Sequence, residues 1–135
     1  MILSGYEEVE HTADIALRVW GEDFFTLLRQ SAKGMYELMG ILENPGQPMK
    51  VIFTIDHGST EMQLVDFLNE VLYIVENQAG YYDNFTFINT RDGIDVHASG
   101  YKIISYQRNI KAVTFHDLEV IETKTRFETT ITFDV

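Results

Sequence analysis

Apolar and polar side chains alternate from Ile15 to Trp20: Ile15, Leu17 and Val19 on one side, Ala16, Arg18 and Trp20 on the other. A period of two predicts a strand with one buried face. Gly21 breaks the pattern and Asp23 is placed to cap a helix. Phe24, Leu27, Leu28, Ala32, Met35, Leu38 and Met39 then recur at helical spacing, and Gly40 is a natural stop. This predicts a core-packing helix from Asp23 to Met39. The stretch from Glu43 to Pro48 holds both prolines and reads as a loop. Met49 to Ile55 reads as a strand, followed by a turn at Asp56-His57-Gly58-Ser59. A second helix is predicted from Thr60 to Ala79. Thr60 and Gln63 read as its capping box, and Leu64, Phe67, Leu68, Val71, Leu72 and Val75 as its apolar stripe.

From Tyr81 onward the pattern predicts strands only. Phe85–Ile88 and Ile94–Ala98 flank Arg91-Asp92-Gly93, a hairpin signal. Tyr101–Tyr106, Asn109–Phe115 and Leu118–Glu122 follow. The last strand, Arg126 to Val135, sets Phe127, Thr129, Ile131 and Phe133 against Glu128, Thr130, Thr132 and Asp134. Two helices near the front and a strand-rich back half predict an α+β fold. The expectation is a single domain over 1–135, two helices packed on antiparallel-rich β-sheets.

Composition narrows the function classes. The chain has 135 residues, 45% of them hydrophobic, enough for a real core. It has no cysteine, which removes disulfides and thiolate metal sites and suggests a reducing compartment. Met1-Ile2-Leu3-Ser4-Gly5 is too short and lacks the basic start of a signal peptide. No apolar run approaches the roughly 20 residues that cross a bilayer. The expected localisation is cytoplasmic, with no membrane partner. The net charge is -11, from 21 acids against 10 bases. Nucleic-acid binders carry basic stripes that neutralise phosphates, so direct nucleic-acid binding is not expected. A cation or a basic protein surface suits this chain better.

No phosphate loop, serine elbow or cysteine pair is present, and His11, His57, His97 and His116 lack zinc-ligand spacing. The chemistry rests on acids. Asp14 heads the first strand, where a carboxylate is a poor strand former. By itself such an Asp is more often a turn residue or cap. Asp134 ends the last strand, and Val135 after it adds a carboxylate. With Asp14 these would make a hard-oxygen cluster suited to a divalent cation; the bland alternative is a frayed end with solvated charges. On the second helix Asp66, Asn69, Glu70 and Tyr73 share one face without Lys or Arg. It is either a solvated face or a surface for a basic partner. Lys111 and His116 stand close together in a chain short of bases, and Lys111 could hold nearby carboxylates together.

Three segments taken together resemble the archease family. They are Glu10-His11-Thr12-Ala13-Asp14-Ile15, the helix Leu64-Val65-Asp66-Phe67-Leu68-Asn69-Glu70-Val71-Leu72, and Ile110-Lys111-Ala112-Val113-Thr114-Phe115-His116, before a chain that ends Asp134-Val135. The resemblance implies a small acidic α+β protein that assists an RtcB-type RNA ligase in tRNA splicing and RNA repair. Such a protein promotes guanylylation and repeated turnover of the ligase and is not itself an enzyme. It also implies a divalent metal site on Asp14, Asp134 and Val135, with calcium first and magnesium or manganese as alternatives. An older reading of the family is a chaperone or modulator of nucleic-acid-processing enzymes such as tRNA methyltransferases. Departures from the family pattern fall at Asn109, where many members carry an acid, at Ala16 for a common Gly, and at Gly100-Tyr101 for a common Gly-Glu pair. None touches Asp14 or Asp134. A different class, a small metal-dependent hydrolase using Asp14, Asp134 and His11 or His116, is the alternative the residues leave open.

Overall fold

The computed structural model describes residues 3–9 and 14–135. Strand β1 (Gly5–Val9) pairs antiparallel with β2 (Ile15–Gly21), and helix α1 (Phe24–Met39) follows. Then come β3 (Leu42–Asp56), α2 (Thr60–Gln78), β4 (Gly80–Thr90) and β5 (Gly93–Ser105). The chain finishes with the short strands β6 (Ala112–Thr114) and β7 (Ile121–Glu122) and the long β8 (Phe127–Asp134). One sheet has the order β1-β2-β8-β6, with β7 also paired to β8; the other is β3-β5-β4. All pairs are antiparallel, as the α+β expectation requires.

Strand β8 is the hub of the first sheet. It pairs with β2 along one edge, from Gly21↔Phe127 to Ile15↔Phe133. Its other edge is shared, with β7 against Phe127 and Glu128 and β6 against Thr132 to Asp134. Phe133, Ile131 and Leu17 face inward and are buried. They join the apolar stripes of both helices and the inner face of the second sheet in one core. Phe67 of α2 sits at the centre of an aromatic cluster, its ring 5.3 Å from Phe85, 5.5 Å from Phe87 and 6.3 Å from Phe53.

The helices begin and end for local reasons. The Asp23 carboxylate accepts from the Thr26 N–H at 2.7 Å, and Gly40 closes α1 in the left-handed conformation, φ 65°. The start of α2 corrects the expected capping box. Ser59, not Thr60, is the cap: its hydroxyl oxygen accepts from the Met62 N–H at 3.1 Å. Gln63 instead donates its side-chain amide to the Asp56 carbonyl, 3.3 Å away.

The strands expected at 109–115 and 118–122 shrink to β6 and β7, and three further strand assignments differ from expectation. The Pro-rich stretch read as a loop lies inside β3. Asn44 pairs with Lys102 and Pro48 with Tyr101, so the intervening residues bulge out of the ladder. β3 is an edge strand, where a proline's missing N–H costs no ladder bond. The two strands expected around residues 94–98 and 101–106 are one, β5. The apolar pattern pauses at Gly100 because a side chain has no room there, not because the strand stops. A Cβ on Gly100 would lie 2.0 Å from the Tyr81 carbonyl oxygen, beside an irregularity in the β4 register between Tyr82 and Asn84. Finally, β1 was not anticipated. Gly5–Val9 is short and mostly exposed, and pairing with β2 forms it.

Candidate functional site

The β2–β8 ladder decides where the two singled-out acids stand. Its end pair is Ile15↔Phe133. Asp14 immediately precedes Ile15 and Asp134 immediately follows Phe133. The ladder ends there, with Asp134 still in β8 and Asp14 in a bend, so the two acids stand at neighbouring strand ends. Across β8's other edge Asp134 pairs with Ala112, and the Lys111 N–H donates to the Asp134 carbonyl at 2.8 Å. Asp14, Lys111 and Asp134 therefore come to one end of this sheet. Asp14 is half-buried, and Asp134 and Val135 are exposed.

Like charges this close are tolerated where solvent screens them or where a cation neutralises them. Among the described residues no three His, Cys, Asp or Glu side chains gather into a metal-binding group. A cation at this end would thus draw on the two side-chain carboxylates. Those are hard oxygen donors throughout, the set that suits calcium or magnesium. His11 lies outside the described residues.

The remaining expected residues are spread around this end. Lys111 is exposed, and among the described residues its ammonium makes no ion pair within 4 Å. His116 is exposed, with Nε2 3.2 Å from Asp117. Asn69 of α2 accepts from the Val113 N–H at 3.2 Å, which ties the polar face of α2 to β6. Asp66 and Glu70 are exposed on that face and, with Asn69, Tyr73 and Asp56, line an open cleft of about 510 Å³. The acidic face of the helix therefore borders β6, the strand paired with the Asp134 end of β8.

Glu61 was not singled out, yet it ties α2 to the segment before β7. It lies in the first turn of α2, and its carboxylate accepts from the Val120 N–H at 2.7 Å. That bond holds its carboxyl below the ordinary 4.5. Hydrogen bonding to the charged form stabilises that form, so the contribution is present above the ordinary value and lost as pH falls through the lowered one. Glu61→Gln should lower the urea midpoint at neutral pH. The gap between variant and parent should narrow in acid below pH ~4; a gap that persists there means the bond does not act through ionisation.

Two antiparallel sheets and two helices sharing one core, with an acid pair at the end of the central strand, define a small acidic α+β domain. The sequence pattern of the archease protein family (MTH1598/TM1083) matches residues 6–135. The chain belongs to that family. Among curated relatives it is 27% identical over 140 residues to the protein archease of Methanosarcina barkeri, covering 96% of this chain and 95% of that one. It is 28% identical over 118 residues to that of Thermoplasma acidophilum, covering 85% and 84%. The fold is that of Methanobacterium thermoautotrophicum protein 1598, solved in solution, with a TM-score of 0.76 at 21% identity and 97% and 99% coverage. It is also that of a Thermotoga maritima archease, described as a possible chaperone, with a TM-score of 0.74 at 22% identity and 96% coverage of each chain. No helix among the described residues is long and apolar enough to cross a membrane.

Proposed function

We propose that this protein is a metal-binding accessory factor that activates an RtcB-type RNA ligase, promoting its guanylylation and repeated turnover in tRNA splicing or RNA repair. Family membership supports the class of function. The observation that supports the reading is that the β2–β8 ladder ends at Ile15↔Phe133, with Asp14 and Asp134 the next residue on each strand. Asp14, Asp134 and the Val135 carboxylate would hold the ion, calcium first, with magnesium or manganese as alternatives. When bound, the ion supplies a Lewis-acidic positive centre on an acidic surface.

The chain's own residues do the rest. β2 and the Lys111 N–H fix the backbone that carries Asp134. The exposed acids Asp66 and Glu70 add negative charge on the adjoining helix. An RNA ligase must carry a basic surface to hold its substrate, and a protein with net charge -11 is steered toward such a surface. The protein would thus reach the ligase by charge and present its carboxylates near the ligase's own centre.

The test is a ligation assay with RNA in excess over ligase, with and without this protein. Addition should convert a single round into many. Asp14→Ala and Asp134→Ala should each abolish that stimulation with an unchanged circular dichroism spectrum. Normal stimulation by both variants would sink the proposal. A second reading, a general chaperone, is favoured by the description of the Thermotoga maritima neighbour and by the cleft beside Asp66 and Glu70. It expects client binding that survives both chelation and Asp14→Ala.

A further inference from the structure

Between α1 and the bulged start of β4 lies a cavity of about 370 Å³. Residues 29, 30, 33, 36 and 37 of α1 line it, a single stripe along the helix. Tyr81, Tyr82, Asp83 and Phe85 of β4 form the facing wall, and Tyr6 of β1 also lines it. Nothing in the proposed ligase role uses this space.

The contacts orient the two walls. At one end the Arg29 Nε–H donates to the Phe85 carbonyl at 3.2 Å, and its guanidinium lies 5.1 Å over the Phe87 ring. At the other end the Tyr36 hydroxyl accepts from the Tyr82 N–H at 3.1 Å, and its ring meets Tyr81 edge-on at 5.0 Å. Lys33 lies about 6 Å along the helix axis from Arg29, and Glu37 about 6 Å beyond Lys33. Arg29 charges one end of the cavity and Lys33 stands midway along it. Glu37 sits at the Tyr36 end, with Asp83 near enough to push up the Tyr36 and Tyr81 phenols, though burial is the larger cause in both.

The charges do not cancel one another. Lys33 and Glu37 are one helical turn apart, the spacing of a helix ion pair, yet among the described residues they form none. Glu37 instead accepts from the Tyr6 hydroxyl. Arg29 makes no ion pair among the described residues either, and its placement through Nε leaves its terminal nitrogens to donate.

We propose that this cavity binds a small zwitterion, an ω-amino carboxylate, with its ammonium among Tyr36, Tyr81, Glu37 and Asp83 and its carboxylate on Arg29 and Lys33. Tyrosine faces attract a cation, most strongly when water is excluded. A carboxylate accepts charge-assisted bonds from guanidinium and ammonium. The methylenes between them lie against Phe85 and Tyr82, both buried. The volume is at the small end of ligand sites, which suits a metabolite-sized molecule. A lone cation would meet Arg29 and Lys33, and a lone anion would meet Glu37 and Asp83, so each end excludes the wrong half.

Calorimetry on the full chain with ε-aminocaproate, hexylamine and caproate tests this. Saturable binding is expected for ε-aminocaproate, with each singly charged analogue weaker by at least about tenfold. Lys33→Gln and Asp83→Asn remove exposed charges of opposite sign. Each should weaken ε-aminocaproate about tenfold and leave the melting temperature of the free protein unchanged. The proposal is overturned by no saturable heat from ε-aminocaproate, by equal binding of hexylamine or caproate, or by unchanged affinity in either variant.

Discussion

Gly100→Ala should destabilise the protein by at least about 3 kcal/mol, the upper end of what overpacking costs. The added Cβ would lie 2.0 Å from the Tyr81 carbonyl oxygen and 2.6 Å from the Tyr82 Cα. Both are backbone atoms of β4, so no side chain can rotate away. Relief requires β4 and β5 to part where β5 is the central strand of its sheet. Urea unfolding measures the loss as a lower midpoint. Gly46→Ala is the matched control, because its new Cβ would meet only the Asn44 side chain at 3.5 Å, and it should stay within about 0.5 kcal/mol of the parent. Equal midpoints for both variants would show that the strands yield and that Gly100 is not sterically required.

Phe67→Ala should cost about 3–5 kcal/mol, the range for removing a buried ring. Phe67 is fully buried, and its ring contacts Phe53, Phe85 and Phe87, which come from β3 and β4. Removing it takes away the common neighbour of both edge strands of that sheet. Against a total stability of typically 5–15 kcal/mol, the loss is a large share. Phe67→Leu keeps most of the volume and should lose clearly less. A midpoint shift in Phe67→Ala no larger than in Phe67→Leu would mean that the site collapses around the gap and that the aromatic contacts contribute little.

The elements that read cleanly from sequence are those whose pattern is set by one buried face. Both helices and β8 belong here: Phe133, Ile131 and Leu68 are inside because their period says so. The Arg91-Asp92-Gly93 hairpin was legible for a local reason, its turn chemistry. What misled was punctuation. Pro45 and Pro48 signalled a loop, but on an edge strand they only bulge it. Gly100 looked like a break and is a point of close backbone approach. Thr60 looked like a cap because Ser59 offers the same chemistry one residue earlier.

The candidate site divides in the same way. Asp14 and Asp134 could be singled out as oddities within strand patterns, and the β2–β8 register is what brings them together. The cavity beside α1 had no such signal. Its residues come from β1, α1 and β4, and its aromatic members are the commonplace inward residues of each. The one trace in the sequence is the pairing of Arg29 with Lys33 one turn apart in a chain short of bases, which only the facing β4 wall makes meaningful.

The central place of β8 has a kinetic consequence. In the β3-β5-β4 sheet, β4 and β5 are joined by a tight turn and β3 reaches β5 over α2 and β4, a shorter span than β2 to β8. The other sheet depends on β2 finding β8 across nearly the whole sequence. Contacts of that span form slowly, because a long loop must close before any pairing rewards it. The sheet through β8 should therefore be the last to assemble. The acid pair at its end exists only when that closure is complete, so ion binding there would act as a latch on the finished fold and would slow its opening more than it speeds its formation.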